Sequence, residues 1–279
     1  NGMLRVAFID TKTDKVVKNV AIPVSDPNFT KVASMHNAWS PDSRYFFTED
    51  RVDNHQVVID TRDWSIKEYD VASTPHYSVP SPDGSELWQV LEGKDRANPP
   101  EVVVYSLKNG NLNKKTVLQM PLMGEDVVEG HHGSFSQDGR YFYLLNRGGG
   151  KTKVGRELAV YDAKSKQLVK RITTASNGIG HAYNSPDGRY EVITNYGNNV
   201  ISIIDNQTLT TAKDLMIGTG RMGHVAFTPD SRWGYISNAK DGNLFKMDMQ
   251  SLKIVKEIKT GGAPGGGQVL NVWTNVFEE

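Results

Sequence analysis

The sequence predicts an all-β fold, a six-bladed β-propeller of four-stranded antiparallel blades, and three observations predict it. One unit, a histidine followed by a short apolar strand, a tight turn and a second strand, begins at His36, His76, His132, His181 and His224. Two more strands follow each unit, at the roughly forty-residue blade spacing of propeller repeats. No segment carries apolar residues at a helical period.

The elements follow in chain order. Leu4 to Asp10 and Val16 to Val24 read as two strands without a histidine unit before them, so the chain starts inside a repeat. From His36, the turn Ser40-Pro41-Asp42-Ser43 places proline and aspartate where a tight reversal favours them. Strands at Arg44 to Thr48, Gln56 to Asp60 and Ser65 to Val71 complete that blade. The unit at His76 has one residue more before Ser81-Pro82-Asp83-Gly84, which predicts a bulge, and its later strands are Val102 to Ser106 and Lys115 to Gln119. The third blade runs from His132 through Tyr141 to Asn146, Leu158 to Asp162 and Leu168 to Thr173. The fourth and fifth have their third strands at Val200 to Asp205 and Leu244 to Asp248. Gly265 to Asn275 supplies an inner strand or two that joins the N-terminal strands in a sixth blade, closing the ring without a long free edge. One propeller domain is expected over residues 1–279.

Composition narrows the function. The 32 Lys and Arg balance the 32 Asp and Glu, which argues against a nucleic-acid partner or a polybasic membrane anchor. No apolar run is long enough to span a bilayer, so membrane insertion is not expected. Cysteine is absent, which excludes disulfides, thiolate metal sites, cysteine nucleophiles and haem attached through C-x-x-C-H. This suits a periplasmic or extracellular protein from which a signal peptide has been removed.

The histidines carry the chemistry. The first strand of each propeller blade lines the axis, so one register repeated in successive blades makes a ring. His36, His76, His132, His181 and His224 occupy that register, while the next residue differs each time: Asn37, Tyr77, Gly133, Ala182 and Val225. The alternative is a ring inherited by blade duplication that holds water or a backbone carbonyl at the channel mouth; against it stands a histidine that outlasts its neighbours. Converging neutral imidazoles suit a metal, with copper preferred on affinity order and zinc as the other candidate. His131, Met222 and Glu129 are possible additional ligands. Met222 shares the strand face of His224, whereas His131 alternates away from the axis if strand geometry holds, and Met35 points into packing. His55 lies in a polar loop and reads as surface. Lys94, Arg96, Arg147, Lys151 and Lys153 lie in the loops from second to third strands, where a basic rim would steer a small anion or an acidic redox partner protein. Gly148 to Thr152 lacks the Walker spacing and a following helix, so it is not read as a phosphate loop.

The repeated Ser-Pro-Asp-Gly turns, followed by aromatic-rich second strands ending at Asn146, Asn195 and Asn238, resemble YVTN-type propeller repeats. The tail Ala263-Pro264-Gly265-Gly266-Gly267 to Asn271-Val272-Trp273-Thr274-Asn275 is similar to the end of the d1-haem propeller of cytochrome nitrite reductases and their biosynthetic relatives. Those propellers have eight blades, and this chain has length for six. The histidine-lined hub also resembles two copper propellers, those of nitrous oxide reductase and thiocyanate dehydrogenase. Three functions follow as expectations. The first is a copper-binding propeller in redox chemistry or metal handling which, if an enzyme, is a metal-dependent oxidoreductase acting on a small anion. The second is a d1-type haem-binding or haem-maturing propeller with His132 or His181 as an axial ligand. The third is a non-enzymatic interaction platform.

Overall fold

The computed structural model describes residues 3–26, 28–29, 36–93, 95, 97–121, 129–148 and 155–260. Among the described residues, strands pair only with sequence neighbours. β1 (Met3–Asp10) and β2 (Lys15–Pro23) form an antiparallel pair. Four-stranded sheets follow: β3 (Asn37–Trp39), β4 (Tyr45–Asp50), β5 (His55–Asp60) and β6 (Ile66–Asp70); then β7 (Pro75–Pro80), β8 (Glu86–Leu91), β9 (Glu101–Lys108) and β10 (Asn111–Gln119). The third is β11 (Gly130–Phe135), β12 (Tyr141–Asn146), β13 (Glu157–Asp162) and β14 (Leu168–Thr173). The fourth is β15 (Ile179–Asn184), β16 (Tyr190–Asn195), β17 (Val200–Asp205) and β18 (Thr210–Met216). The fifth is β19 (Met222–Phe227), β20 (Trp233–Asn238), β21 (Asn243–Asp248) and β22 (Lys253–Lys259).

This is the six-bladed β-propeller that the repeats predict, with five blades complete among the described residues and the sixth represented there by β1 and β2. The strands expected from Gly265 to Asn275 lie outside the described residues. The backbone divides into two compact units. Unit 1 is Asn1–Glu92 with Val102–Val117, and unit 2 is Gly93–Glu101 with Leu118–Glu279.

The turn between first and second strands is built the same way five times. Its Ser or Thr hydroxyl donates to the aspartate two residues on, at 2.5–2.6 Å, in the pairs Ser40–Asp42, Ser81–Asp83, Ser136–Asp138, Ser185–Asp187 and Thr228–Asp230. The same oxygen accepts the N–H that opens the second strand, from Tyr45, Glu86, Tyr141, Tyr190 and Trp233, at 2.8–3.0 Å. Short polar side chains thus satisfy backbone groups that the reversal leaves without ladder partners. The donated hydroxyl also holds the Asp42, Asp83, Asp138 and Asp230 carboxyls below the usual carboxylate range.

Burial is highest in the middle of each blade. β4, β8 and β16 are buried along their whole length, whereas β18 and β22 are mostly exposed. In unit 1, Phe47, Val58, Leu87, Leu91 and Val103 pack the β3–β6 blade on the β7–β10 blade. In unit 2, Tyr143, Leu145, Val160, Ile193 and Ile204 join the third and fourth blades, and Val192, Ile201, Ile203, Ile236 and Met247 join the fourth and fifth. Each such buried aliphatic or aromatic side chain contributes about 1.5–3 kcal/mol. The first strands β11, β15 and β19 lie side by side, as do β3 and β7 in unit 1, so the first strands form the inner side of each unit.

Candidate functional site

The inner strands are irregular where their histidines sit. Register shifts fall between Gly130 and Gly133 in β11, Ile179 and His181 in β15, and Met222 and Val225 in β19. In unit 1, β7 shifts between Pro75 and Tyr77, the bulge expected from its extra residue. A bulge breaks strict alternation and re-aims side chains. Glycine allows the close approaches this needs: a Cβ on Gly180 would collide with the Tyr196 ring, and one on Gly133 with the Phe142 ring.

The bulge in β11 gives an outcome that simple alternation misses. His131 is not turned away from its neighbour; the His131 and His132 ring centroids lie 4.6 Å apart. His181 follows at 4.3 Å from His132 and 5.2 Å from His131, and His224 lies 4.6 Å from His181. His131, His132 and His181 each place one ring nitrogen within 4.8 Å of the others. His131 donates its Nδ1–H to the Gly180 carbonyl at 2.7 Å, which makes Nε2 the lone-pair nitrogen of that ring. Tyr183 hydrogen-bonds His224 Nδ1, and burial pushes the His224 imidazolium down, favouring the neutral ring. Unit 2 thus gathers four imidazoles on three inner strands.

Around them stand Arg147 and Glu129, which the sequence named, and Tyr196 and Arg221, which it did not. The Tyr196 hydroxyl is 3.5 Å from His181 Nε2, and its ring lies 5.5 Å from that of His131. Arg147 and Arg221 stand over the Tyr196 ring, at 5.7 and 5.5 Å from its centroid. Burial pushes the Tyr196 phenol up, against the pull of these two guanidiniums. Arg147 pairs with Glu129, so this carboxylate is committed to a cation. Its side chain is largely buried rather than extended into a solvated rim. Two signals were available: Tyr183 lies two residues beyond His181 on one strand face, and Arg221 directly precedes β19. Lys94, Arg96, Lys151, Lys153, Met35 and the side chain of Met222 lie outside the described residues.

Unit 1 holds a second, smaller group. The His36 and His76 rings are 4.8 Å apart. His76 donates Nδ1–H to Glu92 at 2.6 Å, and Arg51 also pairs with Glu92. A carboxylate behind an imidazole fixes its tautomer and raises its basicity as a ligand. His55 opens β5 and is partly buried, not part of a surface loop.

The described inner-strand histidines can therefore supply ring-nitrogen ligands, with Arg221 beside those of unit 2 for an anionic group. An iron tetrapyrrole fits that donor set, since it takes imidazole nitrogen on its axis and carries carboxylates at its edge. No helix among the described residues is long and apolar enough to cross a membrane.

Comparison with known proteins places the fold and the family. The chain is similar to hydrazine synthase of Kuenenia stuttgartiensis, with a TM-score of 0.71 at 17% identity over 94% of this chain and 84% of that one. A β-propeller domain from Myceliophteria thermophila gives 0.68 at 14% identity, covering 93% of this chain and 82% of that one. The dihydro-heme d1 dehydrogenase NirN, solved in complex with DHE, gives 0.58 at 21% identity over 91% of this chain and 61% of that one. At these identities the likeness shows the propeller fold. In sequence, protein NirF of Pseudomonas aeruginosa is 33% identical over 81 residues, a match spanning 29% of this chain and 19% of that protein. The Cytochrome D1 heme domain description matches residues 2–195 and 128–224, most of the chain, and this d1-like propeller belongs to the cytochrome D1 heme domain family.

Proposed function

We propose that this protein binds a d1-type haem, either as a resident cofactor or as the tetrapyrrole it helps to mature, with His132 or His181 of unit 2 as axial ligand. The observation that carries this reading is the family match over residues 2–195 and 128–224. The geometry supports it: His131, His132 and His181 are within ligating reach of one another, and Arg221 stands nearby as a counter-charge for a macrocycle carboxylate. When bound, the haem supplies the redox chemistry. The chain's own part is to fix the tautomer of His131 through the Gly180 carbonyl, to favour the neutral ring of His224 through burial, and to orient the ligand against Tyr196. Copper, the first choice from the histidine register alone, gives way to haem because the family points to d1 haem. We place the protein in the periplasm, which the absence of cysteine suits, with an electron-carrier protein or a small anion as partner.

The test is a titration of the full chain with extracted haem d1, with protohaem as comparison, followed by visible spectroscopy. One equivalent should be taken up with a shifted Soret band, and His132→Ala combined with His181→Ala should lower affinity at least tenfold. Identical spectra with and without protein, or an unchanged affinity in the double variant, would sink the assignment.

A further inference from the structure

The β3–β6 blade carries a second cluster of ligating groups, on one face of its outer strands. Asp50, His55 and Asp70 stand directly opposite one another across β4, β5 and β6, and directly opposed residues share a face. Glu68 lies two residues before Asp70 and so points the same way. His55 Nε2 is 3.1 Å from Asp70 Oδ1, and His55 Nδ1 is 3.3 Å from Asp50 Oδ2.

The buried end of this row is not satisfied by hydrogen bonds. Asp50 is fully buried. Its Oδ1 accepts the N–H groups of Val52 and Asp53, at 2.8 and 3.2 Å. Its Oδ2, and the His55 Nδ1 that faces it, have no hydrogen-bond partner. With its proton on the Nε2 that faces Asp70, a neutral imidazole presents a lone pair at Nδ1, and two acceptors then face each other at a buried position. That arrangement repels unless a positive charge lies with it. Nearby cations are engaged elsewhere, Arg51 with Glu92 and Lys67 with Asn111.

We propose that Asp50, His55 and Glu68 form a binding site for a divalent transition-metal cation, with Asp70 holding the outer ring nitrogen of His55. One ligand atom from each of the three lies within 4.8 Å of the others. A tetrahedral zinc site has ligand-to-ligand edges of about 3.4 Å, and the exposed Glu68 side chain is free to make up the difference. One imidazole and two carboxylates are a donor set suited to Zn2+, and they carry two negative charges against its two positive ones. Asp70 behind the ring is the usual outer partner of a metal-bound histidine. An ion here would tie three strands of one sheet together at their ends. The site lies in unit 1 and does not depend on the haem reading.

Calorimetric titration of the metal-stripped full chain with Zn2+ tests this. The parent, Glu68→Gln, His55→Asn and the hub variant His132→Ala with His181→Ala are compared. The two blade variants should each lose one equivalent of Zn2+ or bind it at least tenfold more weakly, while the hub variant keeps that equivalent. Glu68→Gln, at an exposed position, guards against loss of fold. If the Glu68→Gln and parent isotherms superimpose, or if the parent binds no Zn2+ that the hub variant retains, the row is an imidazolium held between carboxylates and the proposal is overturned.

Discussion

Ser43 and Ser231 hold a position in the inter-strand turn that Gly84, Gly139 and Gly188 hold in the other three complete blades. All five have positive φ, 56° and 57° at the serines and 70–71° at the glycines. A side chain in that left-handed region costs about 1–2 kcal/mol. Ser43→Gly is therefore expected to stabilise the protein, by about 0.5–1 kcal/mol once the added freedom of the unfolded chain is subtracted. Ser231 differs, because its hydroxyl accepts the Asp187 N–H at 2.8 Å. Ser231→Gly removes that acceptor and should gain nothing. Urea unfolding midpoints of the two variants check the contrast, and an equal rise in both would show that the Asp187 bond contributes nothing. These turns were the most legible residues in the sequence, since proline, aspartate and glycine each act through local backbone geometry.

At the scale of elements, the inner-strand bulges set the histidine geometry, and only one of them was readable. The extra residue before Ser81 announced the bulge in β7. Those in β11, β15 and β19 change no spacing that alternation alone would flag, which is why His131 was expected to turn away and instead joins His132 and His181. Tyr196 and Arg221 escaped for a related reason: they lie at the ends of their elements, where period gives no direction. Gly180 is the pivot of the β15 bulge, its carbonyl accepting the His131 Nδ1–H and its missing side chain making room for Tyr196. Gly180→Ala is expected to cost about 1–3 kcal/mol through overpacking and to displace His181. Denaturant unfolding should show a lower midpoint at unchanged slope, and uptake of haem d1, as proposed above, should weaken with it. A variant as stable as the parent would mean that Tyr196 moves aside freely.

For the whole molecule, net charge is zero and two fully buried carboxyls decide how stability follows pH. Glu49 in unit 1 and Glu191 in unit 2 are each pushed up to about 8 by burial, opposed only in part by hydrogen bonds, among them those from the Ser78 and Ser134 hydroxyls. Between about pH 4.5 and 8 the folded protein keeps protons that the unfolded chain has released. Their stabilising contribution is complete below the unfolded value and is lost as pH rises through the folded one. His224 acts oppositely: its lowered value makes the folded state hold fewer protons just below the ordinary histidine value of 6.5. The net fall should therefore be clearest from pH 6.5 to 8, at up to about 1.4 kcal/mol per pH unit for each group. Urea unfolding across that range should show it, and Glu49→Gln combined with Glu191→Gln should flatten the profile. A parent profile that is already flat would mean both carboxyls ionise in the folded state. No pattern in the sequence pointed to these glutamates, because a lone acidic residue in a strand declares its burial only once neighbouring sheets close over it.

The sequential pairing within every described sheet bears on how the chain reaches its fold. No strand of the five complete blades waits for a distant segment, and each reversal between first and second strands is held by a hydroxyl and a carboxylate two residues apart. The entropy of loop closure is small at such separations, so each hairpin can form within its own stretch of chain. A nascent polypeptide can complete one sheet after roughly forty residues have emerged and then use it as the surface on which the next condenses. Substitutions in one turn then slow the acquisition of that sheet and of those that condense on it, and leave the timing of the sheets already formed unchanged.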